Sequence, residues 1–117
     1  MSPDYRYFSA KEITGLKHDL ISMLDKARDL YGGPIIITSG YRTPEQNKKA
    51  GGVTSSAHVA GLAVDIRAPK DAAKKKALIA ALRQVGFIRI GVYDKHLHVD
   101  IDRRKPQVAW AGGASHA

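Results

Sequence analysis

His58, Asp65 and His98 are the residues of this chain best suited to chemistry: two imidazoles and a carboxylate in segments able to aim them at one point. The first two lie in Ser56-Ala-His58-Val-Ala-Gly61-Leu-Ala-Val-Asp65, and the third lies in His96-Leu-His98-Val-Asp100. Two His and one carboxylate form a common zinc triad with a fourth position left for water, the arrangement of a hydrolase. Each residue also has an ordinary reading. A single His in a strand is usually a hydrogen-bonded surface residue, and Asp65 alone would suit a turn. The joint spacing, with a His-x-His strand downstream, favours one shared site. His18 on a helix and His116 in the tail read as bystanders, and His96 and Asp100 read equally well as the wet side of an edge strand.

The elements that must position these residues follow from caps, breakers and periodicity. Ser9-Ala-Lys-Glu12 has capping-box spacing and opens a short helix, with Gly15 near its end. Leu16, Leu20, Leu24, Ala27 and Leu30 recur at helical spacing until Gly32-Gly33-Pro34. Ile35 to Thr38 reads as a short, doubly buried strand. Thr43-Pro44-Glu45-Gln46 is a second capping box with Pro at the first helical position, closed by Gly51-Gly52. A Ser/Thr/Gly loop then leads to His58, and Leu62 to Arg67 reads as a strand. Asp71 caps a helix to about Val85, and Phe87–Tyr93 with His96–Asp102 form a hairpin turning at Asp94-Lys95. The tail around Trp110 is expected to pack back on the domain.

Strand parity turns this outline into a site. Leu97, Val99 and Ile101 share one face, and His96, His98, Asp100 and Asp102 share the other. Val64 and Ile66 likewise oppose Asp65 and Ala63. Asp65 and His98 are therefore expected on the polar faces of neighbouring strands, with the apolar residues against a helical layer. Gly61 lets the backbone turn between His58 and Asp65, and small Ala60 and Ala63 leave room for a cleft.

Composition limits the alternatives. A chain of 117 residues without repeats or linkers is expected to form one domain, 1–117, with a core of its own. With no cysteine, disulfides, thiolate zinc sites and thiol nucleophiles are excluded. No apolar run approaches the roughly 18 residues of a membrane span. The N-terminal residues lack a signal-peptide pattern, so synthesis in the cytoplasm is expected. Nineteen Lys and Arg against eleven Asp and Glu give +8, which favours an anionic partner such as nucleic acid, membrane or bacterial wall polymer. Lys70, Lys74, Lys75 and Lys76 read as the solvated side of a helix, and the sparse aromatics do not interleave with basic residues. No dedicated nucleic-acid site is expected.

The strings Ser39-Gly-Tyr-Arg42, Thr43-Pro-Glu-Gln-Asn47, Ser56-x-His58-x-x-Gly61-x-Ala63-x-Asp65 and His98-Val-Asp100 resemble the zinc D-alanyl-D-alanine carboxypeptidases and L-alanyl-D-glutamate endopeptidases. These form metallopeptidase family fifteen, whose fold group also takes in lysostaphin-type enzymes and the hedgehog signalling domain. The resemblance runs from about Phe8 to Trp110. It implies an α+β fold, a small antiparallel sheet with helices packed on one face, one zinc ion, and cleavage of a stem-peptide bond in peptidoglycan. Under it, His58, Asp65 and His98 are the zinc ligands. Arg42 matches the arginine that binds substrate and stabilises charge on the scissile carbonyl oxygen. Ser56 matches a serine that hydrogen-bonds substrate, with a plain loop serine as the alternative, and Gln46 remains a helix-capping residue.

The general base departs from the family pattern. Members commonly carry Glu or Asp three residues before the last ligand, where this chain has Lys95. Asp94, one residue earlier at the hairpin turn, is the preferred substitute, because a bulge would bring its carboxylate to the site. His96, on the same strand face as His98, is the other candidate for a catalytic role. The expected protein is a monomeric peptidoglycan hydrolase, with a phage or prophage lysis enzyme, released by a holin or carried on the virion, as the expected source. The competing readings are an inactive zinc-binding module of the same fold and a basic nucleic-acid-binding domain.

Overall fold

The computed structural model describes residues 5–53 and 56–112, so His116 lies outside the described residues, as do Thr54 and Ser55 of the loop before His58. In chain order the elements are α1 (Ala10–Ile13), α2 (His18–Tyr31), β1 (Ile37–Ser39), α3 (Pro44–Lys49), β2 (Ala63–Arg67), α4 (Ala72–Gln84), β3 (Arg89–Val92), β4 (His96–Asp100) and β5 (Trp110–Ala111). One sheet in the order β1-β2-β4-β3-β5 contains all five strands. Its first four strands pair antiparallel, and β5 joins β3 in parallel.

Both capping boxes form. Ser9 and Glu12 satisfy one another's backbone amides at α1, and Thr43 and Gln46 do the same at α3, with Pro44 opening the helix. Asp71 accepts from the Lys74 amide and starts α4. Gly32 ends α2 in the left-handed conformation, its N–H bonded to the Arg28 carbonyl.

The core lies between the sheet and the helices α2 and α4. Leu20, Ile21, Leu24 and Ala27 of α2 and Leu78 and Leu82 of α4 pack with Val64, Ile66, Ile90, Leu97 and Val99, and Phe8 and Phe87 belong to the same buried cluster. Val64 faces Val99 and Ile66 faces Leu97 in register, so the apolar parity of β2 and β4 meets the helical layer.

Three expectations need correction. The stretch Ile35–Thr38 is not doubly buried: Ile35 is in the core, but Ile36 is 42% exposed and the strand starts at Ile37. The cause is topological, since β1 is an edge strand with one neighbour. Leu30, placed on the apolar stripe of α2, is 52% exposed because it lies in the last turn, beyond the reach of the sheet. β4 is not an edge strand; it lies between β2 and β3, and Asp100 is buried.

The chain after Pro106 does return to the domain, and it does so as a strand. Trp110 pairs with Gly91 and lies against it so closely that a Cβ at that glycine would meet the indole at 2.7 Å. Its Nε1 donates to the Tyr93 hydroxyl at 2.6 Å.

Candidate metal centre

Asp65 and His98 stand directly opposite one another on β2 and β4. His58 reaches them from a turn whose shape depends on neighbours. The Ser56 hydroxyl accepts from the His58 amide at 3.2 Å, and the chain then bends at Gly61. Gly61 has φ +73°, and a Cβ there would come within 2.3 Å of the Gly15 carbonyl oxygen, so no side chain fits. The Gly61 carbonyl in turn accepts from the Lys17 amide at 2.9 Å, which ties the turn to the start of α2.

Ligand atoms of His58, Asp65 and His98 lie within 4.8 Å of one another, and all three residues are buried. His58 Nε2 is 3.4 Å from Asp65 Oδ1, and His98 Nδ1 is 3.1 Å from the same oxygen. Tetrahedral zinc with bonds of about 2.0–2.1 Å separates its ligand atoms by roughly 3.3 Å. The two separations to Asp65 therefore suit a shared tetrahedral cation.

The tautomer of His58 gives an independent test of fit. Its Nδ1 lies 2.9 Å from the Gly40 carbonyl oxygen, which can only accept, so Nδ1 carries the proton. Nε2 is then a bare lone pair facing a carboxylate oxygen. Among the described residues it is the one buried side-chain nitrogen or oxygen without a hydrogen-bond partner. Two acceptors face to face in a buried site repel unless a cation stands between them. The chemistry of the donor set fits a metal ion such as zinc.

His98 is oriented from behind. Its Nε2 lies 2.7 Å from Asp100 Oδ2, which leaves Nδ1 for the cluster. Asp100 is itself held by Arg89 Nε at 2.8 Å and by the Asp102 amide at 3.0 Å. A carboxylate behind a ligating imidazole fixes its ring and raises its basicity. One sequence reading of Asp100, the wet side of an edge strand, does not hold, because the residue is buried. The signal for it was the His-x-Asp parity within one strand, which places a carboxylate beside the ring. Trp110 completes the wall, its ring centroid 5.5 Å from that of His98 and under the Arg89 guanidinium at 4.9 Å.

Burial alone would raise the Asp65 carboxyl, but the two imidazoles set against its oxygen outweigh it and hold the group far below the usual carboxylate range. Burial would lower His98, yet Asp100 and Asp65 raise it. Asp100 is lowered in spite of burial, through His98, the Asp102 amide and Arg89. Asp102 sits at about 2 because the Arg104 side chain bonds both its oxygens.

Arg42 stands beside the cluster. Its Nη2 is 3.5 Å from Asp65 Oδ2, the oxygen turned away from the imidazoles, and its Nε donates to the Ser39 hydroxyl at 3.2 Å. Nη1 contacts buried Asn47 at 3.5 Å, and Asn47 is fixed by the Val53 carbonyl at 2.6 Å. Ser56 is only 1% exposed and serves the His58 turn, so its hydroxyl supports the site from beneath.

The two candidate bases separate. His96 lies one rung along the polar face, opposite Arg67, and stacks on Tyr93 at 4.5 Å. Asp94 is exposed in the hairpin turn and lines a groove with Arg67, Lys75 and Lys95 that none of His58, Asp65 and His98 lines. No bulge brings it back, because the β3–β4 register runs unbroken from Arg89–Asp100 to Val92–Leu97.

An α+β frame carrying a buried His–Asp–His set beside an arginine is the arrangement of a metal-dependent hydrolase. The family model described as Peptidase M15 matches residues 6–102, and the chain belongs to that family of metallopeptidases. The matched span takes in the cluster, Arg42 and Asp100, while Trp110 lies beyond it. No curated protein matches the chain.

Proposed function

We propose that the protein is a zinc-dependent peptidase cutting a stem-peptide bond of bacterial peptidoglycan, of the D-Ala-D-Ala carboxypeptidase or L-Ala-D-Glu endopeptidase type. His58, Asp65 and His98 would hold one zinc ion. The single observation behind this reading is the buried, partnerless Nε2 of His58, 3.4 Å from an Asp65 oxygen. Membership of the peptidase M15 family supplies the reaction class.

A zinc ion held by His58, Asp65 and His98 would supply Lewis acidity, polarising a peptide carbonyl and lowering the pKa of water toward neutrality. The chain's own residues divide the remaining work. Arg42 presents a fixed guanidinium to the negative charge that grows on the carbonyl oxygen, and it can grip a substrate carboxylate. Asp100 keeps the His98 ring aligned. His96, on the ligand-bearing face, is assigned to take a proton from the attacking water and return it to the leaving amine, with Asp94 as the second candidate. Ser56 keeps the His58 turn in shape. No helix of the described residues is long and apolar enough to cross a membrane, and the +8 charge suits an anionic wall. A phage or prophage lysis role belongs to the same proposal, and so does action as a monomer.

The test uses purified peptidoglycan, with free amino groups counted and the new muropeptide termini read by mass spectrometry. Zinc-loaded protein should release amino groups, and a chelator should stop it. His96→Ala should lose about 10²–10⁴-fold, and Asp94→Ala less than His96→Ala. No release from any peptidoglycan chemotype would leave the inactive zinc module of the same fold as the better reading.

A further inference from the structure

The polar face does not end at the cluster. Arg67 follows Asp65 by two residues on the same side of β2, opposite His96 of β4. Residues so related lie roughly 6.6–6.8 Å apart along a strand. Arg67 also forms the near rim of a groove of about 910 Å³ at this end of the sheet, lined further by Lys70, Lys75, Asp94 and Lys95. Four cations face one carboxylate there. Lys75 Nζ donates to the Tyr93 carbonyl oxygen at 2.8 Å, whereas no ion pair engages Arg67, Lys70 or Lys95 among the described residues. Elsewhere such charges are closed: Arg89 is held by Asp100, and Arg104 and Lys105 by Asp102. Unpaired cations converging on one concavity, a rung away from the candidate ligands, point to an anion.

We propose that this groove is an anion subsite for the substrate. It takes a carboxylate-bearing segment of the peptide, two or three residues from the bond cut beside His58, Asp65 and His98. The inference rests on the peptidase reading above and names the substrate chemistry that reading leaves open. An extended peptide advances about 3.3 Å per residue, so a chain with its scissile carbonyl at the cluster reaches Arg67 after two residues. The guanidinium fork of Arg67 matches a carboxylate bidentately, and Lys70 and Lys95 add positive charge to the same groove.

Zinc-loaded full-length protein would be given two peptides that differ only in a side-chain carboxylate, or its amide, at that distance from the cleaved bond. The acidic peptide should be preferred about fivefold in kcat/KM, mostly through KM. Arg67→Gln combined with Lys95→Gln should bring the preference within about twofold. Equal cleavage by the unaltered protein, or a preference kept in the double variant, overturns the subsite while leaving the peptidase reading intact. Should neither peptide be cleaved, that reading fails, and fluorescence anisotropy with labelled, uncleaved peptides still decides the subsite. The acidic peptide must bind more tightly than the amide, and the double variant must erase the difference. Displacement of the acidic peptide by a linear poly(glycerol phosphate) at lower molar concentration would overturn it in favour of a phosphodiester ligand.

Discussion

The two faces of β2 and β4 are made from alternating residues of the same ten-odd positions, and both are buried, yet they achieve burial by opposite means. On one face Val64, Ile66, Leu97 and Val99 fill space against α2 and α4. On the other, Asp65, His98 and Asp100 are kept from water by charge and hydrogen bonds among themselves and with Arg42 and Arg89. The apolar face is complete as it stands. Beside the polar face, one buried side-chain nitrogen among the described residues, His58 Nε2, has nothing to bond. The buried cluster on the polar face, paired at its other polar atoms and short of one cation, is organised around binding, whereas the apolar face is organised around cohesion.

The sharpest way to break this contrast is to empty the polar face. His58→Ala should abolish stoichiometric zinc by elemental analysis and reduce amino-group release to background, with the circular dichroism spectrum retained. Full zinc retention would show that the three residues do not share an ion. On the opposite face, Leu97→Ala should cost about 2–5 kcal/mol in urea unfolding, with zinc still bound by the folded fraction.

Between these lies Asp100→Asn, which keeps the shape behind His98 but removes the charge. A loss of about 10–100-fold in zinc affinity or activity is expected, with a much smaller change in the unfolding midpoint. Unchanged affinity would reduce Asp100 to a partner of Arg89 alone.

Acidity should separate the faces too, in metal-free protein. Because the folded-state pKa of His98 is raised, its contribution is complete below the unfolded value of about 6.5 and fades as pH climbs through the folded one. Asp65 and Asp100 are lowered, so theirs is present above about 4 and fades as pH falls through their folded values. The urea midpoint should therefore be higher at pH 5.5 than at pH 8.5 or pH 3. Zinc reverses the upper limb, because it displaces the His98 proton and binds more tightly as pH rises. A midpoint flat from pH 5.5 to 8.5 would argue against an imidazolium held between two carboxylates. The smallest effect belongs to a residue outside both faces: Leu30→Ser should shift stability by no more than about 0.5 kcal/mol.

Much of this was legible in the sequence, for local reasons. Capping boxes at Ser9 and Thr43, the Asp71 cap and the Asp94-Lys95 turn depend on residues a few positions apart, and each appears as read. Strand parity was equally local and put Asp65 and His98 on one face. What the sequence could not carry was lateral order within the sheet. That order makes β1 an edge and exposes Ile36, and it makes β4 central and buries Asp100. It also lays Trp110 over Gly91. Arg42 was found by its Ser-Gly-Tyr context, but its support by Asn47 and Ser39 depends on how the loops fold together.

The loop holding Gly40 and Arg42 and the turn holding His58 are cross-bolted: the Gly40 carbonyl oxygen accepts from His58 Nδ1, and the His58 carbonyl oxygen accepts from the Arg42 amide at 3.2 Å. Anyone retargeting this protein by swapping the arginine loop would thus disturb metal uptake as well. The two stretches have to be transplanted together, as one cartridge, for either to keep its aim.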